Sequence, residues 1–155
     1  MSSKLYSDQE LDYLQQMPKR VTNPGARWLD KPGHQQRNFQ VRGQGEHLSH
    51  FSVYQRQNLL DECDFSCGIV YVPQGGRRLT LARYNGPSHR HGEIVYRPHI
   101  HRAAAKAIAE GKKPESEADE TDRFQTLDGA LACLLDDFNV GGLSAPQHEE
   151  LRLSL

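Results

Sequence analysis

Hydrophobic and polar residues alternate along the middle of the chain, and this period of two is typical of half-buried β-strands. The alternation begins at Phe51 and is followed by three further strand-like runs, separated by turn signals such as Pro73-Gln-Gly-Gly76. The predicted strands cover residues 51–60, 65–72, 77–84 and about 93–101. Strands joined by such short turns predict an antiparallel meander in one curved sheet.

Helical signals lie on either side of these strands. Ser7 and Glu10 fit a capping box ahead of a helix that ends at Pro18. An alanine-rich stretch after residue 102 predicts a second helix, and Thr126 opens a third with a wide apolar stripe. We expect the third helix to cover one face of the sheet. The charged residues 112–122 between the two helices predict an exposed loop.

Residues 19–45 are rich in Pro, Gly, Asn, Gln and Arg, with Trp28 and Phe39 as the strong apolar residues. We interpret them as an irregular, solvated arm that lays Trp28 on the domain and contains a short strand at residues 39–42. A phosphate-contacting flank is the alternative, because the arm contains several arginines and few acids.

The predicted fold class is therefore α+β. A curved, antiparallel sheet of four to five strands packs against C-terminal helices and is preceded by an N-terminal helix and the arm. One domain is expected over residues 1–155, because this length suits a single core. Its parts are the helix and arm (1–45), the sheet (46–102), the C-terminal helices (103–142) and a tail (143–155).

The amino-acid composition mainly excludes certain classes of function. The chain has 155 residues, and 19 Lys and Arg against 20 Asp and Glu give a formal net charge of −1. This balance exerts no global pull toward nucleic acid or an anionic membrane, so a polyanion site must be a local patch. No run approaches the roughly 20 apolar residues of a membrane span, and the N-terminus lacks the apolar run of a signal peptide. We expect a cytoplasmic protein without a membrane partner, and an exposed edge strand would allow a homodimer.

Groups that hold or move protons near neutral pH concentrate in residues 79–102. Four of the eight histidines lie there: His89, His91, His99 and His101. Residues two apart on a strand share a face, so Arg97, His99 and His101 are predicted to point together toward solvent. The apolar set Ile94, Tyr96 and Ile100 would then point into the core. Arg83 and Asn85 end the neighbouring strand and come within reach across the hairpin.

Three functions fit this hairpin. RNA cleavage needs one group to take the 2′-hydroxyl proton, another to protonate the leaving oxygen, and a cation to stabilise the phosphorane. A metal site, with zinc as the ion, would use His89, His91, His99, His101 and Glu93. A basic surface that only binds an acidic partner is the third. The arginines around the histidines favour a phosphodiester, since they would repel a dication.

The run from Arg83-Tyr84-Asn85 through His89 and Glu93 to Pro98-His99-Ile100-His101 resembles the central signature of TumE-type toxins of bacterial toxin–antitoxin pairs. That family carries an Arg-Tyr-Asp-Asn segment, paired histidines and a Pro-His-x-His element. This chain lacks the Asp and has His89-x-His91 in place of adjacent histidines. The resemblance covers about a third of the chain and implies a small cytoplasmic toxin that acts on RNA and is neutralised by a partner antitoxin.

The leading hypothesis is thus a toxin-like protein that acts on RNA or another phosphodiester, as a metal-independent endoribonuclease without a cofactor. His99 and His101 are the predicted proton-transfer pair, completed by His89 and His91. The predicted substrate-binding residues are Arg56, Arg83, Tyr84, Asn85 and Arg97. The alternatives are a non-catalytic binding or inhibitor module of a bacterial mobile element or defence system, and a histidine-ligated metal enzyme.

Overall fold

The computed structural model describes residues 5–44, 48–88, 90–91 and 94–143. The helices are α1 (Asp8–Gln16), α2 (Ala105–Ala109) and α3 (Leu127–Asp137). The strands are β1 (Lys19–Val21), β2 (Leu29–Lys31), β3 (His34–Gln44), β4 (Leu48–Asn58), β5 (Phe65–Val72), β6 (Leu79–Asn85), β7 (Arg90–His91), β8 (Ile94–Val95), β9 (His99–Arg102), β10 (Ala118–Glu120) and β11 (Val140–Gly141).

In the described part of the chain, nine strands form one sheet, and β7 and β8 form a separate hairpin. The order across the large sheet is β10-β9-β6-β5-β4-β3-β1-β11, with β2 also paired to β3. Neighbouring strands are antiparallel except β1 and β11, which are parallel. The predicted α+β class, with a mostly antiparallel sheet and a C-terminal helix, is confirmed.

Helix boundaries follow the capping signals. The Ser7 hydroxyl accepts a hydrogen bond from the Glu10 amide while the Glu10 carboxylate accepts one from the Ser7 amide, so the capping box forms. Thr126 caps α3 in the same manner through the amide of Gly129. None of the helices in the described ranges is both long and apolar enough to cross a membrane.

The predicted irregular arm is wrong, because residues 19–44 supply three strands. β3 pairs with β4 along its whole length, from His34 opposite Asn58 to Gln44 opposite Leu48. Its Phe39 side chain enters the core, whereas most of its other side chains are amides and arginines that hide the period of two. The sheet is accordingly larger than the four to five strands expected.

Trp28 does lie on the domain, as predicted. The Arg37 guanidinium stacks between the rings of Trp28 and Phe39, at 4.8 and 4.9 Å from their centroids. Two further predictions of the sequence need correction in the second half of the chain. The expected fourth strand at 93–101 divides into β8 and β9, and the expected exposed loop at 112–122 contains β10 and the buried Glu115. The tail after residue 143 lies outside the described residues.

The hydrophobic core lies between one face of the sheet and the helices α1 and α3. Apolar side chains alternate inward along the strands, and α3 packs across β4, β5 and β6. The central members of this core are Phe39, Val53, Ile69, Tyr84, Phe124, Leu131 and Leu134. We call this side of the sheet the core face and the opposite side the open face.

Asp137, at the end of α3, ties the helix to the sheet. Its carboxylate accepts two hydrogen bonds from Arg123, both of 2.9 Å, and a short one from the hydroxyl of Tyr84. Burial and the hydrogen bond to Asp137 raise the pKa of Tyr84. The hydrogen bond to the carboxylate raises the pKa of Arg123 as well. Charge-assisted bonds to a half-buried carboxylate are among the stronger polar contributions to stability.

We predict that Asp137→Asn lowers the free energy of unfolding by about 2–3 kcal/mol, because the charged bidentate pair is lost and the buried Tyr84 hydroxyl keeps a weaker acceptor. Urea denaturation followed by circular dichroism measures this. Asp122→Asn is the matched control, since Asp122 is exposed and the charge change is the same. Equal midpoints for the two variants would contradict the role of Asp137.

Lys19 is the other polar anchor of the core, with a side chain only 3 % exposed. Its ammonium donates to the carbonyls of Gln15, Met17 and Phe138 at 2.8, 3.0 and 2.7 Å, which joins the C-terminal ends of α1 and α3. Cations suit this place because helix C-termini carry partial negative charge. Burial nevertheless lowers the pKa of Lys19 to about 7.

This lowered pKa predicts a pH dependence of stability. Between pH 7 and 10 the unfolded chain holds a proton on Lys19 that the native state has released, so the free energy of unfolding rises with pH, by up to about 1.4 kcal/mol per pH unit. Below pH 7 Lys19 is protonated in both the native and the unfolded state, and this gain in unfolding free energy is lost. The unfolding free energy of wild type minus that of Lys19→Met should therefore rise from pH 7 to 10. A constant difference would show that the three carbonyls keep the ammonium charged.

Candidate functional site

The pairing of β6 with β9 brings the predicted residues together on the open face. His99 lies opposite Asn85, and His101 lies opposite Arg83. The rings of His99 and His101 contact each other edge to face, with centroids 5.1 Å apart. The predictions that His99 and His101 share a face and that Arg83 and Asn85 come within reach of them from the neighbouring strand are confirmed.

Both imidazoles are fixed by backbone carbonyls. The Nδ1 atom of His99 donates to the carbonyl of Arg97 at 3.1 Å, and that of His101 donates to the carbonyl of Glu115 at 2.9 Å. A carbonyl only accepts, so each Nδ1 carries the proton. The Asn85 amide group then donates to Nε2 of His99 at 3.3 Å, which fits a neutral ring.

Exposure of these histidines was wrongly predicted, since each is only 1 % exposed. The polypeptide around Glu115, in the connection between α2 and β10, approaches the open face and places its carbonyl on His101. Ile100, on the alternate side of β9, is buried too. β9 is therefore buried on both faces, and an alternating sequence pattern assumes that only one face is covered.

Arg83 lies at the edge of this covered region. Its Nη1 is 3.4 Å from the Glu115 carboxylate, and the two side chains are 28 % and 8 % exposed. The Nε of Arg83 and the Oδ1 of Asn85 are buried without a hydrogen-bond partner. Buried polar atoms are almost always paired in native proteins, so these two atoms mark a buried polar cluster of Arg83, Asn85 and Glu115, which we call the polar pocket.

Tyr54 on β4 extends the pocket across the sheet. Its ring lies over Gly68, where an added Cβ would come within 2.7 Å of two ring carbons and the hydroxyl oxygen. Burial raises the pKa of Tyr54 to about 12, against the lowering effect of the Arg83 charge. A phenol held protonated in this way can donate a hydrogen bond to an acceptor at neutral pH.

Beyond Tyr54 the open face is polar and uncovered. The side chains that alternate away from the core on β1, β3, β4 and β5 are mostly amides, hydroxyls and arginines, and they are half-buried or exposed. They are Arg20, Gln36, Asn38, Gln40, Arg42, Ser52, Tyr54, Arg56 and Ser66. Arg20 and Arg42 are directly opposite each other across the β1–β3 pair.

This opposition of two arginines costs stability unless an anion balances it, because like charges on facing positions repel. Neither Arg20 nor Arg42 has an ion-pair partner within the described ranges of the chain. The row of Arg42 and the row of Arg56 are six positions apart along β3 and β4, which corresponds to roughly 20 Å along the sheet. The open face thus carries separated cations on a polar, hydrogen-bonding surface.

The remaining predicted residues are dispersed. Tyr84 lies on the core face with no exposed surface, so its predicted contact with substrate is wrong. Arg97 precedes β9 and pairs with Glu120 at 2.8 Å in solvent. Tyr96 was expected in the core but is 68 % exposed, with a positive φ of 54°. Arg56 is exposed on the open face.

The other half of the histidine cluster is not defined. His89 and Glu93 lie outside the described residues, as does the side chain of His91. Within the described ranges no group of three or more His, Cys, Asp or Glu side chains is placed to hold a metal ion. The zinc alternative therefore gains no support from the described residues.

The sequence analysis missed two residues of this site, Tyr54 and Glu115, whereas Arg20 and Arg42 belong to the arginine-rich arm for which a phosphate-contacting flank was the alternative. Tyr54 could have been found, since it alternates with the inward apolar residues Phe51 and Val53 on its strand. No pattern in the sequence points to Glu115, because it lies 32 residues after Arg83 and reaches the site through a loop. In comparisons with known proteins, no family model matches the chain, and neither a curated protein nor a solved structure matches it. The resemblance to TumE-type toxins stays a prediction.

We predict that the double variant His99→Ala/His101→Ala loses more than about 3 kcal/mol of unfolding free energy, because two buried rings are removed and the Glu115 carbonyl loses its donor. Urea denaturation measures the loss. His50→Ala, an exposed histidine on β4, is the control. If the double variant unfolded at the control's urea concentration, the two rings would not be part of the folded framework.

Proposed function

We propose that this chain is a toxin-like cytoplasmic protein that binds RNA, or another chain of phosphodiesters, on the open face of its sheet. The observation that carries the proposal is the pair of facing arginines, Arg20 and Arg42, together with Arg56 on the same uncovered surface. Such a local patch is what a chain with a net charge of −1 needs in order to attract a polyanion.

The chemistry of the face suits a single-stranded partner. Amide and hydroxyl side chains offer donors and acceptors to bases and sugars, while separated arginines contact phosphates. Tyr54 adds an aromatic ring near Arg83. Proteins that bind single strands combine a cationic path with aromatic side chains in this way. A cognate antitoxin would fit the same proposal as an acidic protein that covers this face.

The burial of His99 and His101 favours a second candidate, a binding module without catalysis. A proton-transfer pair must reach the substrate within hydrogen-bond distance or through one water. With both rings 1 % exposed and both Nδ1 atoms bound to carbonyls, that reach requires the polypeptide around Glu115 to move. The two candidates share the RNA-binding face and differ only in turnover.

Binding is tested with a fluorescent single-stranded RNA titrated at several salt concentrations. Arg20→Gln/Arg42→Gln should weaken affinity about tenfold or more, and should reduce the slope of log K against log salt by about 0.7 for each lost phosphate contact. Lys106→Gln on α2 is the control, because it removes a cation that is not on the sheet. Equal affinities for the variant and the control would refute the proposed face.

Turnover is tested on total RNA with wild type and with His99→Asn/His101→Asn, whose amide groups can still donate to the two carbonyls. Loss of cleavage in a variant that unfolds at the wild-type midpoint would support the predicted endoribonuclease. RNA binding by the wild-type protein without any cleavage would support the binding module.

A further inference from the structure

The buried polar pocket formed by Arg83, Asn85 and Glu115 contains a poorly paired carboxylate. Glu115 is 7 % exposed, and Arg83 is the side chain that contacts its carboxylate, through one Nη1 atom at 3.4 Å. Well-formed arginine–carboxylate pairs have contacts of about 2.7–2.9 Å and are often bidentate. In this same protein, the exposed pair of Arg97 with Glu120 reaches 2.8 Å. The buried pair is thus the looser of the two, although burial makes a carboxylate more dependent on its partners.

Arg83 likewise makes fewer hydrogen bonds than its guanidinium group allows. Its buried Nε has no acceptor, so the guanidinium makes one long contact where its planar fork could make two or more. Asn85, two residues along the same strand face, has a buried Oδ1 without a donor. The pocket therefore holds an unpaired donor, Arg83 Nε, and an unpaired acceptor, Asn85 Oδ1. The Glu115 carboxylate contacts Arg83 through Nη1 alone.

We propose that Arg83 and Asn85 form a phosphate subsite, whose affinity the neighbouring negative charge of Glu115 lowers. This inference rests on the proposed function, since it assigns a specific phosphate contact to the same open face. The Nε and Nη2 atoms form one edge of the guanidinium, so a phosphate group, with its several acceptor oxygens, can accept hydrogen bonds from both at the edge that Glu115 does not contact. A hydroxyl next to that phosphate, as on ribose, would donate to Asn85 Oδ1.

The orientation of Asn85 supports this assignment. His99 Nδ1 donates to the Arg97 carbonyl, so in the singly protonated ring Nε2 is an acceptor, and the Asn85 NH₂ group donates to it at 3.3 Å. The amide oxygen of Asn85 is thereby fixed as an acceptor in the pocket. His99 is in this sense a positioning residue for Asn85, and His101 positions the Glu115 backbone through its carbonyl.

The first test uses inorganic phosphate as the probe and nuclear magnetic resonance of the full chain as the readout. Glu115→Gln should bind phosphate about tenfold more tightly than wild type, because the negative charge beside Arg83 is removed. Glu117→Gln, an exposed neighbour with the same charge change, should bind like wild type. Arg83→Gln in the Glu115→Gln background should abolish the gain. A folded Glu115→Gln variant that binds no more tightly than Glu117→Gln would overturn the inference.

Single-stranded RNA as a second probe separates this subsite from the wider proposal. A gain for both phosphate and RNA in Glu115→Gln supports a subsite for the RNA backbone, whereas a gain for phosphate alone supports a subsite for a free phosphate group. Failure of the Arg20 and Arg42 test removes the proposed function but leaves the phosphate measurement decisive for the pocket. Failure of the phosphate test removes the pocket but leaves the open face intact.

Discussion

The register between β6 and β9 is the constraint on which the site depends. It places Tyr84 and Ile100 together on the core face, and Asn85 with His99 on the open face. A shift by one residue would exchange the faces, because side chains alternate strictly along a strand. The histidines would then enter the apolar layer beneath α3, where a polar ring without a partner is costly. Asp137 opposes such a shift, since its ion pair with Arg102 of β9, at 4.0 Å, requires the Arg102 side chain on the core face.

Local signals in the sequence predicted much of this fold. The capping residues Ser7 and Thr126 mark where α1 and α3 begin, and dense strand formers mark β5. These predictions succeed because the responsible contacts lie within a few residues of each other. β3 was largely missed for a matching reason. Its outward side chains are Gln, Asn and Arg, which mimic a loop, and its core side chains are recognisable as inward only once β4 pairs with it.

The predictions for the candidate site succeeded or failed for the same reason. The sharing of a face by His99 and His101 follows from spacing alone, and it is confirmed. Their burial does not follow from spacing, because it depends on the distant polypeptide around Glu115. Tyr84 illustrates the opposite error: it lies within the resembling motif between Arg83 and Asn85, yet alternation assigns it to the other face. A motif read along the chain ignores the face, whereas the pleat of the strand decides which of its residues can meet a ligand.

The distribution of charge separates two tasks within one sheet. Near β9 the two imidazoles are buried and bound to backbone carbonyls, an arrangement that holds a network rigid. Toward β1, Arg20 and Arg42 are exposed and face each other. Their repulsion lowers the stability of the fold, and a bound anion would offset it. Their opposition is the basis of the proposed anionic ligand, whereas the buried histidines form the framework that holds Asn85 and the Glu115 backbone beside Arg83.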